Sequence, residues 1–349
     1  MTEATPLLEI NDLVVRYPAG TVFDRLTGGP RDITILPGTS LRIAPGETLG
    51  LIGESGSGKT TLGRAAVGLA PISGGTIRIG KDVTSLSGGQ TWARMRRSVG
   101  LMFQDPVAAL DPRMRLGQSV TEPLAITGQL GRDRTARAIE LLAQVGLSAD
   151  FANRFPHEVS GGQARRVTVA RALALDPPLV IADEPTAGLD LSVQGELLNL
   201  LNDLQQRLRV SFLMITHNLA VARHVTDRIA IMYLGRIVET GPTAAIFARP
   251  AHPYTRALLR TRDRADGTSA DIAGEVPSLR ARPAGCEFHT RCPLATDHCR
   301  TTAPSHSLAG ADHLVTCHRA AEVQAAATGP APATEANNST TTRILKTEI

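Results

Sequence analysis

Eight consecutive residues, Gly53-Glu54-Ser55-Gly56-Ser57-Gly58-Lys59-Thr60, carry the pattern G-x-x-x-x-G-K-[ST], whose chemistry is phosphate binding. The glycines let the backbone curl so that successive N–H groups point inward, and a following helix N-terminus favours an anion there. Lys59 can reach β- and γ-phosphates, and the Thr60 hydroxyl can ligate Mg²⁺. Thr61, next in the chain, is grouped with the loop as a nucleotide contact. These roles need a strand before the loop and a helix after it. The apolar run Thr48-Leu49-Gly50-Leu51-Ile52 predicts a buried strand, and the run from Thr61 to Leu69 predicts a helix.

Two further apolar runs end in polar groups. Leu179-Val180-Ile181-Ala182 leads into Asp183 and Glu184, and Phe212-Leu213-Met214-Ile215 leads into Thr216 and His217. Buried parallel strands deliver their last residues to the carboxyl edge of a sheet, where ligands sit. Asp183 there would hold Mg²⁺ through water. Glu184 would orient and deprotonate an attacking water. His217 is a candidate contact for the γ-phosphate, although a lone histidine is more often structural.

Just before the acidic strand lies Val159-Ser160-Gly161-Gly162-Gln163, opening a stretch rich in arginine and small apolar residues. Ser160 can cap the helix that follows, and the glycines open its N–H groups to phosphate. Here the chain resembles the ATP-binding cassette (ABC) family, whose signature is L-S-G-G-Q; Val159 replaces the usual leucine. Leu86-Ser87-Gly88-Gly89-Gln90 matches that signature letter for letter. It is read as a surface turn, because no basic amphipathic helix and acidic strand follow it in the family's order. Val99 to Pro106 looks like the family's strand ending in Gln104, which senses Mg²⁺ and the γ-phosphate. Tyr17 sits where the family stacks an aromatic on adenine, with ordinary packing as the alternative. Asp190 falls in the family's D-loop. The resemblance spans roughly residues 7–245, with the motifs in order.

The resemblance implies an α/β P-loop NTPase fold: an antiparallel β-subdomain, a RecA-like parallel-sheet core, a helical subdomain and a small cysteine-containing C-terminal extension. From the residues, 7–48 are expected to be antiparallel, with an irregular stretch from Pro18 to Pro37. Residues 49–104 and 176–245 are expected to form the core, and 105–175 a helix-rich insert containing an amphipathic helix that ends at Gly146. The expected domains are 1–260 for the ATPase, 261–324 for the extension and 325–349 for a disordered tail.

Composition sets outer limits. The chain has 349 residues, 42% hydrophobic and 20% charged, with a formal charge of +4, ordinary values for a soluble globular protein. It shows neither an 18-residue apolar run nor a basic and apolar leader, so neither secretion nor membrane spanning is expected. The arginines at 94, 96, 97, 165, 166 and 171 are read as solvated helix faces and give weak grounds for nucleic-acid binding.

All four cysteines, Cys286, Cys292, Cys299 and Cys317, fall in one window with gaps of 5, 6 and 17 residues. Disulfides are disfavoured in a reducing compartment, and zinc usually shows a C-x₂₋₄-C pair that is missing here. His289, His298 and His318 keep a mixed ligand set open. The segment Pro250-Ala251-His252-Pro253-Tyr254 and the later Gly285-Cys286 to Cys292-Pro293 resemble the ATPases of oligopeptide and dipeptide importers and their C-terminal extension. That resemblance implies a [4Fe–4S] cluster on the four thiolates, with Zn²⁺ or no metal as alternatives. Because the cysteines lie outside every phosphate-contacting motif, ATP binding is expected to be independent of them.

The resemblance therefore implies an ATP- and Mg²⁺-dependent ATPase at the cytoplasmic face of the cell membrane, peripheral to it. Its partners would be a second, non-identical ATPase or a second copy, two membrane permeases and, indirectly, an extracytoplasmic solute-binding protein; no nucleic acid is expected. The second ATPase would present its own Ser160, Gly161, Gly162 and Gln163 equivalents to this phosphate loop. Peptides are the expected solute, with nickel or glutathione as alternatives. A cassette ATPase acting on nucleic acid or ribosomes is the rival from another class.

Overall fold

The computed structural model describes residues 5–18, 32–84, 89–106, 108–262, 272 and 274–327. Two sheets organise them. The smaller is antiparallel, in the order β2-β1-β4-β5, from β1 (Leu8–Pro18), β2 (Asp32–Ile43), β4 (Ile72–Ile79) and β5 (Asp82–Thr84). Leu8 and Ile10 and, past a register shift, Leu13 and Val15 of β1 are fully buried, alternating on either side of the shift. This period of two marks a sheet with one face on the core. The larger sheet has eight strands in the order β11-β12-β10-β9-β3-β8-β7-β6. Its parallel centre is β9 (Arg228–Tyr233), β3 (Thr48–Ile52), β8 (Ser211–Thr216), β7 (Leu179–Asp183) and β6 (Val99–Met102). Every residue of β3 and β8 is buried, as expected for strands covered on both faces.

Helices supply the cover. α1 (Lys59–Ala66) follows β3, and α2 (Gly89–Arg97) precedes β6. The insert between β6 and β7 contains α3 (Leu116–Ile126), α4 (Arg134–Gln144) and α5 (Gly161–Leu173). Leu116, Val120, Leu141, Leu142 and Val167 form its fully buried centre. α4 starts at Asp133, whose carboxylate accepts from Ala136 N at 2.8 Å, and its chain turns away at Gly146 with φ +74°. α6 (Leu191–Leu208), α7 (Leu219–Val225), α8 (Thr243–Ala248) and α9 (Pro253–Arg262) follow in chain order.

The parallel centre is interrupted where continuity was expected. Residues 72–84 leave it for the antiparallel sheet, because Ile77 and Ile79 pair with Ile10 and Leu8 and bury against the same core. The stretch read as irregular is in part regular: Asp32–Pro37 pairs with β1, Ile33 opposite Tyr17, while residues 19–31 lie outside the described residues. Of the second signature-like run, residues 86–88 also lie outside the described residues. A basic helix does follow it, since Gly89 and Gln90 open α2. The next strand, β6, ends at Met102 rather than in acids, so the rest of the signature's context is missing.

The C-terminal segment is joined to the core sheet. β10 (Arg236–Pro242) pairs with β9 on one side and β12 (His313–Thr316) on the other, and β11 (His306–Gly310) closes a hairpin with β12. α10 (Asp297–Thr301) precedes this hairpin and α11 (Ala320–Ala327) follows it. The remainder of the expected tail, from residue 328, lies outside the described residues.

Candidate ATP site

Register brings the polar strand ends together. Ile52 of β3 pairs with Thr216 of β8, and Ile215 of β8 pairs with Asp183 of β7. The loop after β3, the acids after β7 and His217 therefore meet at one edge of the sheet. Gly53 admits no side chain, since a Cβ there would lie 2.3 Å from the Met232 carbonyl oxygen. Gly58 caps α1 at φ +103°, in the left-handed region that glycine enters without steric cost. Ser55 and Gly56 are exposed, while Ser57 is buried. Thr61 is half-buried in α1.

Lys59 lies inside the loop it follows. Its Nζ donates to the carbonyls of Gly53 at 2.8 Å and Glu54 at 2.9 Å. Burial lowers its pKa, while Glu184 and Asp183 oppose the shift. Thr60 Oγ1 donates to Asp183 Oδ1 at 3.2 Å. Burial raises the Asp183 pKa, and neighbouring Glu184 adds to the rise. A half-buried pair of acids beside a hydroxyl, with Lys59 close by, is a donor set that suits a hard divalent cation.

Glu184 has φ +47°, a backbone state that costs a non-glycine residue on the order of 1 kcal/mol or more. Its N–H donates to the Ile215 carbonyl at 2.9 Å, which holds the turn. Oε1 of the same residue lies 2.7 Å from His217 Nδ1 and accepts the His217 backbone N–H at 3.1 Å. A carboxylate held this way at the rim can take a proton from water.

The remaining predicted residues are placed around this centre. Gln104 is exposed just beyond β6, and its carbonyl accepts from Arg165 Nη1 at 2.7 Å. Tyr17 is half-buried at the end of β1 and packs on the core cluster beneath the antiparallel sheet. Ser160 caps α5, accepting from Gln163 N at 3.2 Å, while Gln163 Oε1 accepts from Ser160 N at 3.0 Å. This reciprocal capping box leaves Ser160 and Gly161 exposed. Among the described residues, no hydrogen bond links 160–163 to the phosphate loop of the same chain. Asp190 caps α6, its Oδ1 accepting from Val193 N at 2.9 Å.

Two arginines depart from what the sequence suggests. Arg165, expected on a solvated face, is 2% exposed. It donates to the carbonyls of Gln104 and, at 2.9 Å, Ala187, tying α5 to the segments after β6 and β7. The helical pattern gives no sign of this, because the neighbours come from two other strands. Arg291, beside Cys292, forms a two-pronged ion pair with Glu54 of the phosphate loop, at 2.7 and 3.1 Å. The cysteines themselves lie outside the phosphate-contacting motifs, but a neighbour in their segment touches the loop: 237 residues separate the partners in sequence, and only the fold joins them.

The four cysteines are unpaired thiols, Cys299 buried and the others half-buried. Burial pushes Cys292 up to about 11 and Cys317 up to about 12, and also raises Cys286. Each of these three also feels the charge of other cysteines in the set. Among the described residues, no three His, Cys, Asp or Glu side chains are grouped closely enough to hold a metal ion. No helix among them is long and apolar enough to cross a membrane.

Comparison with known proteins agrees with the geometry. The ABC transporter family model matches residues 36–187, and the model for the oligopeptide/dipeptide transporter C-terminal region matches residues 238–299. A putative peptide import ATP-binding protein of Brucella abortus is 48% identical over 316 residues, 89% of this chain and 93% of its own. The oligopeptide transport ATP-binding protein AppF of Bacillus subtilis is 40% identical over 321 residues, 89% of this chain and 97% of its own. An ATP-binding cassette solved as a dimer in a post-hydrolysis state with ADP and Pi aligns with TM-score 0.60 and 29% identity, over 68% of this chain and 98% of its own. The cbiO1 subunit from Clostridium perfringens, part of the ABC transporter complex cbiONQ, aligns with TM-score 0.61 and 27% identity, over 75% of this chain and 96% of its own. The chain belongs to the ATP-binding cassette family of ABC transporters, in the branch that carries the oligopeptide/dipeptide transporter C-terminal region.

Proposed function

We propose that this ATPase powers uptake of peptides through two membrane permeases, working at the cytoplasmic face of the membrane beside a second ATPase. The observation that carries this reading is the meeting of Lys59, Thr60, Asp183, Glu184 and His217 at one sheet edge, while Ser160 and Gly161 of the same chain face outward. Such a chain holds one half of a composite site, and a facing cassette supplies the other. Lys59 and the loop N–H groups bind the phosphates; Thr60, Gln104 and Asp183 hold Mg²⁺. Glu184 takes a proton from the attacking water, and His217 steadies the γ-phosphate. Tyr17 stacks on adenine. Ser160, Gly161, Gly162 and Gln163 cap the partner's nucleotide, and Asp190 lies at the junction. An extracytoplasmic binding protein delivers solute to the permeases. The name of the Brucella abortus relative supports peptide import, and the family model on 238–299 supports an oligopeptide/dipeptide transporter.

The test is affinity purification of the full-length chain from membranes of its own host, followed by ATPase assay of the complex with added solutes. Recovery of permeases and a second cassette, with hydrolysis stimulated by peptide-loaded binding protein, is expected. Stimulation by nickel or glutathione alone would replace the solute, and recovery of ribosomes or nucleic acid without permeases would overturn the reading.

A second reading concerns the four thiols. Cys286, Cys292, Cys299 and Cys317 are soft donors of the type that ligate a [4Fe–4S] cluster or zinc, although no three of them are grouped closely enough here to hold a metal ion, so binding would have to draw them together. Burial that disfavours free thiolates is what a bound cation offsets. A bound cluster would cross-link a segment with few large apolar residues and so fold it. Anaerobically purified protein is expected to be brown, with near-stoichiometric iron and sulfide lost in a Cys→Ser variant. Stoichiometric zinc without iron would replace the cluster, and four freely alkylated thiols would remove the site.

A further inference from the structure

We infer that Arg291 of the C-terminal extension is a positioning residue of the ATP site, holding Glu54 of the phosphate loop in place and cancelling its charge where nucleotide phosphates must sit. The inference rests on the reading of residues 53–60 as that site.

Glu54 is gripped at three points. Its carboxylate accepts both terminal nitrogens of Arg291, at 2.7 and 3.1 Å. Its peptide N–H donates to Tyr254 Oη at 2.9 Å, and its carbonyl accepts Lys59 Nζ at 2.9 Å. Only the last contact comes from the phosphate-loop motif itself. The first two come from the extension and from α9.

Arg291 is itself fixed. Its side chain is 5% exposed, against 27% for Glu54. The guanidinium sits 5.9 Å from the Tyr233 ring centroid. Phe288 of the extension packs edge-on against Tyr233 at 5.2 Å and tilts on Tyr254 at 5.4 Å. This aromatic wedge fixes the path of the chain just before Arg291. A second strut runs from Arg282, which donates to the Leu234 carbonyl at 2.7 Å and to the Thr34 and Ile35 carbonyls at 2.9 and 3.0 Å. Gly235, next to Leu234, donates to the Ser57 carbonyl at 2.7 Å. The extension thus touches the loop at Glu54 and braces the turn at 234–235 that contacts Ser57.

The pairing has an electrostatic consequence that a mere brace lacks. ATP brings several negative charges to the loop, and an unpaired carboxylate beside it repels them through a partly dry medium. A bidentate arginine removes that repulsion and orients the carboxylate. Loss of Arg291 should therefore weaken ATP binding, and loss of the Glu54 charge should restore it.

The experiment is equilibrium binding of MgATP to the full-length chain, with unfolding midpoints recorded alongside. Arg291→Met should weaken binding roughly tenfold. Adding Glu54→Gln should return affinity to within about threefold of wild type, because the repelling charge is gone. Should Arg291→Met fail to fold, Arg291→Gln and its Glu54→Gln double variant make the same comparison, since glutamine removes the charge while keeping a polar head. Wild-type affinity in the single arginine variant, or a double variant as weak as the single, would overturn the inference. Lys59→Ala separates the two readings: wild-type binding in that variant would remove the ATP site itself rather than the role of Arg291.

Discussion

Glu184 and His217 are joined twice: one carboxylate oxygen lies 2.7 Å from the imidazole Nδ1 and accepts the histidine's own backbone N–H at 3.1 Å. The carboxylate is only 13% exposed and the imidazole 65%, so the histidine bridges a sheltered acid and open solvent. The bond from the Glu184 N–H to the Ile215 carbonyl holds the turn in its left-handed conformation and keeps the acid from swinging away.

Glu184→Gln keeps this shape and removes the base. Steady-state hydrolysis in the assembled transporter should fall by on the order of 10²–10⁴, while ATP binding by the full-length chain survives. Near-normal turnover would show that another group accepts the proton.

The two signature-like runs should respond oppositely to one charge. Gly161 has open space around it, with no neighbouring atom within 4 Å of where a Cβ would stand, so Gly161→Asp fits the fold and acts by repelling a facing phosphate. It should abolish ATP-driven association of cassettes in size-exclusion runs. Gly88→Asp, in the literal match, should leave association unchanged. The reverse pattern would transfer the signature role to residues 86–90.

His252 should make stability depend on pH. Burial lowers its pKa from 6.5 to about 4, against the pull of Glu239, and its Nδ1 accepts from Tyr254 N at 3.0 Å. The unfolded chain therefore binds a proton that the folded chain refuses between those values. Stability from the neutral ring is complete above pH 6.5 and is lost as pH falls toward 4, a total on the order of 3 kcal/mol. Thermal unfolding followed from pH 7 to pH 5 should show a shallower decline for His252→Gln than for wild type. Parallel curves would mean that the ring is protonated in the fold.

What is legible in the sequence is what is local. Gly53 to Thr60 fix their own conformation, and the apolar runs before Gly53, Asp183 and His217 announce strands whose ends must share a sheet edge. Contacts closed by the fold are not legible. Arg165 looks like one more basic helix residue until the carbonyls of Gln104 and Ala187 surround it. Ile77 and Ile79 alternate as a strand should, but alternation does not say which sheet receives them; β1 does, by pairing. Arg291 and Glu54 carry no mutual signal at all. Their charges are complementary, as are those of many pairs on any chain, and only the docking of Phe288 on Tyr233 and Tyr254 selects this one.

The seam between β10 and β12 has a further consequence for biogenesis. Glu239 on β10 is 1% exposed, and its partner His313 on β12 lies 2.7 Å away. Until residue 313 has left the ribosome, the ATPase sheet ends in an open strand with an acid lacking that partner. Open strand edges recruit other chains, and the Glu239 carboxylate is then held only by the backbone N–H groups of Ala251 and His252. The nascent cassette is therefore unfinished when its last nucleotide-contacting motif has been made, and a product cut short after α9 is expected to aggregate rather than to persist as a minimal ATPase.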